Sequence, residues 1–338
     1  MVGIQTVTMA TEPLNTPSKN IFDFDKVINY FKELENNSNH TEVITDTSDC
    51  GLAKTMRPQN CTKFLTAFDI SLSKINIENN SCPLPDEVLE KFIGKGQYPI
   101  LTLFTTWIHV EDKVNIHENT IKNWASFRPF IKPVLFSNDS RLIKLCRSSE
   151  WDVLPLNKVS KEGIPVLKNM FIEIISRYRS TFYGFANSDI LFTSELIHTL
   201  HGVLTTSLFD TAKPAMFIGQ RKNVENMCDG IGEKWKAIDF ISSKSGSLFH
   251  EAAQDYFITN KIFPWKDIPE VVIGRIAYDN WLVIHSSQKG YQIIDATKTL
   301  LAVHQTTKYG NFEGFKHSNM DYNIKLLAGL FGEINYQA

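Results

Sequence analysis

A short polar step, Asn187-Ser188-Asp189, interrupts an apolar segment that runs from Tyr183 to Phe192. The apolar residues on both sides predict a buried strand that carries the polar step to the edge of a sheet. Carboxylate and amide oxygens would meet there, and Mg²⁺ and Mn²⁺ prefer oxygen ligands that they share with substrate phosphates. The pattern therefore predicts a divalent-cation site. A ligand-free turn at the end of a strand is the alternative that the pattern leaves open.

Polar residues also follow two earlier predicted strands. Thr105 and Thr106 come after the strand Tyr98–Phe104, and Asp139 comes after the strand Pro133–Phe136. Hydroxyl groups suit phosphate oxygens, and a carboxylate can accept hydrogen bonds from a ribose hydroxyl or a base N–H. Asp139 also stands directly before a predicted helix, where capping alone would explain it. No Gly-x-Gly-x-x-Gly or P-loop sequence occurs, so neither a dinucleotide-binding nor a P-loop site is indicated.

Three further candidates lie late in the chain. His304 ends an apolar run; such a residue is more often a satisfied core histidine, although imidazole can bind Mn²⁺. Asp279 precedes a predicted helix, whose dipole would favour the charged form of a general base, and a plain cap is again the alternative. Arg275 carries a planar fork that fits phosphate oxygens, but it could equally pair with Asp279.

The elements that must position these residues alternate between strands and helices. Such alternation predicts an α/β fold with a mostly parallel sheet, covered on both faces, that binds ligands beyond the carboxyl ends of its strands. The predicted helices are Asn115–Phe127, Arg141–Ser148 and Val166–Arg179, and the remaining predicted strands are Trp151–Leu154, Phe182–Ala186, Phe217–Arg221, Gly290–Thr297 and Leu300–Gln305.

The domain prediction has three parts. Residues 1–95 are expected to form a disordered leader and a stem with peripheral helices at Phe22–Leu34 and Leu84–Ile93. Residues 96–310 are expected to form the main domain. Residues 311–338 are expected to form a C-terminal tail packed on that domain.

Composition excludes some classes of partner. The 338 residues carry a net charge of −2 and no run of basic residues, so nucleic acid is not an expected partner. No apolar run approaches the roughly 18 residues of a transmembrane span. The N-terminus also lacks an apolar signal core. Either the protein is cytoplasmic, or this chain is a soluble piece of a longer, membrane-anchored protein.

Cysteines and sequons bear on the compartment. None of the five cysteines forms a Cys-x-x-Cys pair, which disfavours a structural zinc site. Cys50, Cys61 and Cys82 lie in one polar segment that would suit a disulfide in an oxidising lumen, and unpaired thiols are the alternative. Asn-x-Ser/Thr sequons begin at Asn36, Asn39, Asn60, Asn79 and Asn138, and they mildly favour a secreted glycoprotein.

The order of these motifs resembles that of the GT-A nucleotide-sugar glycosyltransferases from Tyr98 to Gln305. Asn187-Ser188-Asp189 stands where the family has Asp-x-Asp, with Asn187 in place of the first acid. Tyr278-Asp279-Asn280 stands where the family more often has a pair of acids. The resemblance implies Asp189 and His304 as ligands of Mn²⁺ or Mg²⁺, and Asp279 as the general base. It further implies donor contacts from Thr105, Thr106, Asp139, Asn187, Asp189 and Arg275.

The activity implied by the resemblance is transfer of a hexose or N-acetylhexosamine from a nucleoside diphosphate sugar, above all a UDP-sugar, to a glycan or other hydroxyl acceptor. A base on the acceptor side implies inversion, and a retaining transferase or a non-catalytic glycan- or nucleotide-binding module are the alternatives. A nucleotidyltransferase is disfavoured because Thr102–Val110 contains no glycine-rich loop. The expected compartment is the Golgi or ER lumen, with the cytoplasm as the alternative. The acceptor-binding candidates are Gln220, Arg221, Asp239 and Trp281.

Overall fold

The computed structural model describes residues 99–307, residue 317 and residues 319–332. The predicted leader and helical stem lie outside these residues, and so do Cys50, Cys61 and Cys82. Among the described cysteines, Cys146 is a free, buried thiol and Cys228 is disulfide-bonded.

Strands and helices alternate through most of the described residues. The strands are β1 Leu101–Thr105, β2 Ile131–Phe136, β3 Asp152–Leu154, β4 Phe182–Ala186, β5 Ile190–Phe192, β6 Ala215–Ile218, β7 Lys222–Glu225, β8 Ser247–Leu248, β9 Tyr256–Asn260, β10 Gln292–Asp295 and β11 Ala302–Thr306. The helices are α1 Val114–Ala125, α2 Ser140–Ser148, α3 Leu167–Arg177, α4 Glu195–Thr205, α5 Trp235–Ser245, α6 Tyr278–Gln288 and α7 Tyr322–Phe331.

A large sheet of seven strands has the order β10-β6-β9-β4-β1-β2-β3. Strand β1 pairs in parallel with β2 and β4, β2 pairs in parallel with β3, and β6 does so with β10. Only β9 runs against its neighbours, because it is antiparallel to both β4 and β6. The prediction of an α/β fold with a mostly parallel central sheet is confirmed.

A small sheet with the order β5-β11-β7-β8 adjoins the large one. Strand β11 is antiparallel to β5 and parallel to β7. The chain therefore passes between the two sheets several times. The predicted strand Phe217–Arg221 is too long at its end. Strand β6 of the large sheet ends at Ile218, and a separate strand, β7, follows in the small sheet.

Two apolar layers cover the large sheet. Side chains of one strand alternate between them: Phe182 belongs to the cluster packed by α1, α2 and α4, whereas Tyr183 and Phe185 belong to the cluster packed by α3, α6 and α7. Gly184 allows β4 and β9 to approach, since a Cβ there would lie 2.9 Å from a side-chain carbon of Ile258. The strand ends are thus fixed by a core on both faces.

Helix α7 lies in the segment predicted as a C-terminal tail. Its Leu327 is buried in the apolar layer of α3 and α6. Its Asn323 accepts a hydrogen bond from the N–H of Val272 and donates one to the carbonyl of the same residue. No helix in the described part of the chain is both long enough and apolar enough to cross a membrane.

Candidate functional site

Asp189 and His304 lie side by side where the two sheets meet. Asp189 directly precedes β5, and the antiparallel pairing of β5 with β11 sets His304 opposite Ile190. The Oδ2 atom of Asp189 is 3.3 Å from Nε2 of His304, and the N–H of Gln305 donates to the carbonyl of Asp189 at 3.0 Å. Strand pairing therefore brings together two residues that are far apart in sequence.

The electrostatics of this pair favour an ionised carboxylate. Burial by itself would raise the pKa of Asp189, but the charge and hydrogen bond of His304 outweigh it. The charges of Arg221 and Lys113 act in the same direction, so the pKa of Asp189 lies well below its ordinary value. The ionised form of Asp189 is therefore favoured.

Asp189 and His304 fit a divalent cation that prefers oxygen ligands. Oδ1 of Asp189 is buried and has no hydrogen-bond partner, and a buried charged oxygen is rarely left unsatisfied. On the far side of the imidazole, Nδ1 lies 3.1 Å from Oγ1 of Thr306, which fixes the ring. Within residues 99–307, 317 and 319–332, no group of three or more His, Cys, Asp or Glu side chains could hold a metal. Two protein ligands suffice for an ion that keeps waters and substrate phosphates in its shell.

Asn187 is bound to a carboxylate from another part of the chain. Its Nδ2 donates to Oδ1 of Asp255 at 2.6 Å, and its backbone N–H donates to the carbonyl of Asp255 at 2.9 Å. The other oxygen of Asp255 pairs with Nη1 of Arg221. A donor contact for Asn187 remains a prediction, because the amide side chain is already committed to Asp255.

Asp279 is the second residue of α6 and is partly buried. The residue before the helix, Ala277, has a φ of 78°, a left-handed value that non-glycine residues seldom adopt. Burial raises the pKa of Asp279 to about 6, against the lowering effect of hydrogen bonds from the N–H groups of Asn280 and Gln254. The helix dipole was expected to keep this group charged, yet desolvation prevails and makes it a better base near neutral pH.

The predicted nucleotide-binding residues lie at the ends of β1 and β2: Thr105 is the last residue of β1, Thr106 follows it, and Asp139 follows β2. Thr105 is fully buried and its Oγ1 has no partner, while Thr106 is half-exposed. Asp139 caps α2 through a hydrogen bond of 2.8 Å from the N–H of Arg141. Hydrogen bonds from the side chain and N–H of Arg141 lower the pKa of Asp139 to about 2. The capping role of Asp139 is confirmed, and its contact with a nucleoside remains a prediction.

His117 and Trp107 belong to the same edge, although their sequence context does not mark them. The two rings stack with centroids 4.9 Å apart. Nε2 of His117 lies 3.3 Å from Oγ of Ser188, and Nε1 of Trp107 is buried without a partner. Burial lowers the pKa of His117 to about 4, so its imidazole is neutral. The sequence offers one weak signal for His117, which is its position on a helix one turn after Lys113.

A network of buried amide side chains supports Asp189 and His304, the pair that we call the cation edge. The side chain of Gln305 accepts a hydrogen bond from Asn119 at 3.0 Å and donates to Oγ1 of Thr120 at 3.1 Å. The same Gln305 holds the carbonyl of Asp189 through its backbone N–H. Helix α1 is thereby fastened to β11 and to the turn that carries Asp189. The sequence offers no signal for this pairing, because buried amides are common throughout the core.

Two of the acceptor-side candidates are buried. Trp281 is only 3% exposed, and its ring stacks on His285 within the core. Arg221 is 4% exposed and is committed to its ion pair with Asp255. Acceptor binding by either side chain remains a prediction.

The other predicted contacts are less constrained. Gln220 donates from Nε2 to the carbonyl of Phe249 at 2.7 Å. Asp239 is exposed on α5. Arg275 donates from Nη1 to the carbonyl of Gly274 at 2.7 Å; the alternative ion pair with Asp279 does not form. For all three residues, a role in binding remains a prediction.

No protein-family model matches this chain, and no curated protein is similar to it in sequence. Several solved structures are similar in fold. Glucosyl-3-phosphoglycerate synthase from Mycobacterium tuberculosis, in complex with Mg²⁺ and uridine diphosphate, has a TM-score of 0.42 at 11% identity over 74% of this chain and 84% of its own. S. aureus TarS 1-349, in complex with UDP-GlcNAc, has a TM-score of 0.42 at 10% identity over 70% of this chain and 68% of its own. With likenesses this distant, conclusions about chemistry must come from the site itself.

Proposed function

We propose that this protein is a metal-dependent glycosyltransferase that moves a sugar from a nucleoside diphosphate sugar to a hydroxyl acceptor with inversion. One arrangement of side chains carries the proposal. Oδ1 of Asp189 is buried without a hydrogen-bond partner, and the carboxylate lies beside His304. A second aspartate, Asp279, has a raised pKa, and one short segment of the chain connects it to the first. That segment is Gln254–Asp255, which contacts Asp279 on one side and Asn187 on the other. The donor we favour is a UDP-sugar, which carries a hexose or an N-acetylhexosamine.

Asp189 and His304 would hold Mn²⁺ or Mg²⁺ together with oxygens of the donor diphosphate. A cation bound there supplies Lewis-acid stabilisation of the charge on the departing diphosphate. Thr306 keeps the imidazole in place, and its hydroxyl can donate or accept, so it suits either tautomer of His304. Lys113 adds a positive charge near Asp189.

Asp279 would act as the general base. Its carboxylate takes the proton of the acceptor hydroxyl while the hydroxyl oxygen bonds to the anomeric carbon. The bond from that carbon to the diphosphate breaks, and the electron pair leaves with the nucleotide. A group with a pKa of about 6 is mostly ionised at neutral pH and retains more basicity than an ordinary aspartate.

An oxidising compartment is part of the proposal. Cys228 is disulfide-bonded, and disulfides persist mainly in secreted or luminal proteins. We therefore favour the secretory pathway over the cytoplasm. Migration of the intact protein on a non-reducing gel, compared with a reduced sample, tests this point, and identical migration with all cysteines reactive would argue for the cytoplasm.

Ligand binding tests the function directly. Melting temperature should be measured with UDP, GDP and CMP, each with and without Mn²⁺. A nucleotide at 100 times its Kd stabilises a native state by about 2.7 kcal/mol, and we expect UDP with Mn²⁺ to give the largest shift. The next step is NMR of the product formed from a UDP-sugar, where an anomer opposite to that of the donor supports inversion.

Each alternative has its own outcome in these experiments. A product that keeps the donor anomer would replace the inverting mechanism with a retaining one. Nucleotide binding without any release of UDP from a UDP-sugar would indicate a non-catalytic binding module. If no nucleotide shifts the melting temperature in the presence of Mn²⁺, the proposal is wrong.

A further inference from the structure

Three connections between the two sheets meet beside Asp189. Asn187 lies in the connection from β4 to β5, Arg221 in that from β6 to β7, and Asp255 in that from β8 to β9. Each connection leaves one sheet and enters the other. Contacts among these residues therefore decide how the sheets are placed against each other at the site.

The carboxylate of Asp255 joins all three connections. It accepts a hydrogen bond from Asn187 through Oδ1 at 2.6 Å and pairs with Arg221 through Oδ2. The guanidinium is held further by Asn223, which accepts from Nε at 3.0 Å, and by the ring of Phe249, whose centroid is 4.3 Å away. A charge pair this deeply buried tolerates little displacement, because loss of either partner would leave the other charge unpaired.

The same segment reaches both functional carboxylates. The N–H of Gln254, the residue before Asp255, lies close enough to Asp279 to lower the pKa of that carboxyl. On the other side, the Asp255 side chain holds Asn187, which stands two residues before Asp189. We call the turn Asn187-Ser188-Asp189 the cation-binding turn. Its position relative to the base, Asp279, is therefore set through Gln254 and Asp255.

These contacts also explain the amide at position 187. A carboxylate only accepts hydrogen bonds, so Asp255 requires a donor opposite it. A second carboxylate at 187 would face Asp255 at hydrogen-bonding distance, and two like charges at that range cannot both stay ionised.

We propose that Asp255, paired with Arg221, is a positioning residue that holds the cation-binding turn in place relative to the base Asp279, and that residue 187 is an asparagine because Asp255 faces it. The kinetic part of this inference rests on the proposed function. The pairing itself rests on the described contacts and can be tested by stability alone.

A cycle of substitutions tests the pairing. The variants are Asn187→Asp, Asp255→Asn and the double variant, which exchanges carboxylate and amide and so restores a donor opposite an acceptor. Asn115→Asp is the matched control. Nδ2 of Asn115 donates to Oδ2 of Asp229 at 2.9 Å in an exposed pair, so the same like-charge contact is created where solvent screens it.

Both single variants should melt below the wild type. Their kcat for release of UDP from a UDP-sugar should fall by about 10²-fold, as expected when reacting groups are displaced by about 1 Å. The KM for the donor should change less than kcat, because Asp255 does not touch the donor in this mechanism. The double variant should regain about tenfold or more in kcat, as coupled neighbours do. It should regain only part of the lost melting temperature, because Arg221 still lacks its carboxylate partner. The control should match the wild type.

The outcomes separate this inference from the proposed function. If the effects of the two single substitutions simply add in the double variant, Asn187 and Asp255 are not coupled and the pairing is wrong. Recovery of the melting temperature without recovery of kcat would reduce Asp255 to a packing role and overturn the positioning role. If the wild type turns over no donor, the proposed function fails. The melting temperatures of the cycle then still decide whether Asn187 and Asp255 are partners.

Discussion

Asp189 and Asp279 are both carboxylates with little solvent contact, yet their pKa values move in opposite directions. Burial favours the protonated form of each. At Asp189 the charge of His304 overrides burial and lowers the pKa. At Asp279 burial prevails, and the negative charge of Asp255 reinforces it. A neighbouring group that outweighs burial thus keeps Asp189 ionised and able to hold a cation, whereas burial that prevails fits Asp279 to accept a proton.

The two residues also differ in how the backbone holds them. Asp189 is fixed by the regular ladder between β5 and β11, in which a shift of register would remove His304 from its side. Asp279 depends on a loop with two left-handed residues, Gly274 at a φ of 65° and Ala277 at 78°. Strand pairing therefore fixes the geometry of Asp189 and His304, whereas local backbone conformation fixes that of Asp279.

The largest effect should follow from Asp189→Asn, which removes the charge of the cation edge and keeps its shape. We expect kcat to fall by about 10²–10³-fold, which corresponds to the several kcal/mol that a cation contributes. Stabilisation by Mn²⁺ in thermal melts should disappear as well. Asp321→Asn, at an exposed acid paired with Lys325 on α7, is the control. A variant at 189 that still responds to Mn²⁺ would break the comparison.

Asp279→Asn should lower kcat by about 10²-fold or more, since it removes the base. Nucleotide affinity should persist, because the base faces the acceptor. Near-normal turnover by this variant, or a product with the donor anomer, would move the mechanism to the retaining alternative.

Stability gives Asp279 a second signature. A pKa raised from 3.8 to about 6 contributes stability that is present below pH 3.8 and is lost as the pH rises through 6. The Asn variant lacks this loss, so its melting temperature should exceed that of the wild type at pH 8, and the difference should shrink at pH 4.5. The wild-type kcat/KM should fall below about pH 6 as the base becomes protonated. A difference in melting temperature that does not depend on pH would contradict the raised pKa.

Thr306→Val should have a smaller effect, confined to the cation edge. Loss of the hydroxyl that orients His304 should weaken Mn²⁺ binding by about 10–100-fold, as is typical for partners of metal-binding histidines. Calorimetric titration with Mn²⁺ measures this. Thr193→Val is the matched control, because the buried Oγ1 of Thr193 has no hydrogen-bond partner. Equal affinities for both variants would show that Thr306 does not orient the imidazole.

A third carboxylate, Asp139, should give the smallest effect. Its pKa is lowered by hydrogen bonds from Arg141 at the start of α2. Asp139→Ala should lose about 0.5–2 kcal/mol of stability through the cap. It should also weaken UDP binding by more than this loss explains, when affinity is measured well below the melting temperature. Unchanged UDP affinity would leave capping as its only role.

Sequence patterns predict where the candidate functional residues lie in the fold better than they predict which residues contact them. Asp139 and Asp189 were predictable because the ends of alternating strands collect at one edge of a parallel sheet. His304 could be placed by the resemblance, although its register against Ile190 could not. Strand β9 is absent from the predicted order. Its antiparallel insertion between β4 and β6 is decided by tertiary pairing, and simple α/β alternation has no place for it.

Two acceptor-side predictions fall on residues whose side chains are buried. Arg221 and Trp281 carry groups that suit a ligand, and a sequence does not reveal that such groups are already satisfied inside the protein. The partner of Arg221 lies 34 positions away, in a segment with no motif of its own. Buried ion pairs and stacked rings depend on contacts between distant segments, which local periodicity cannot report.

The distances in sequence across the cation edge have a consequence for the order of folding. Gln305 and Asp189 are 116 positions apart, and Gln305 and Asn119 are 186 apart. Such non-local contacts form late, because the entropy of closing long loops must be overcome before they contribute stability. During refolding, helical circular dichroism should therefore return before any Mn²⁺-dependent protection. A chain interrupted before β11 would hold all seven strands of the large sheet together with Asp189 and Asp279, and would lack His304.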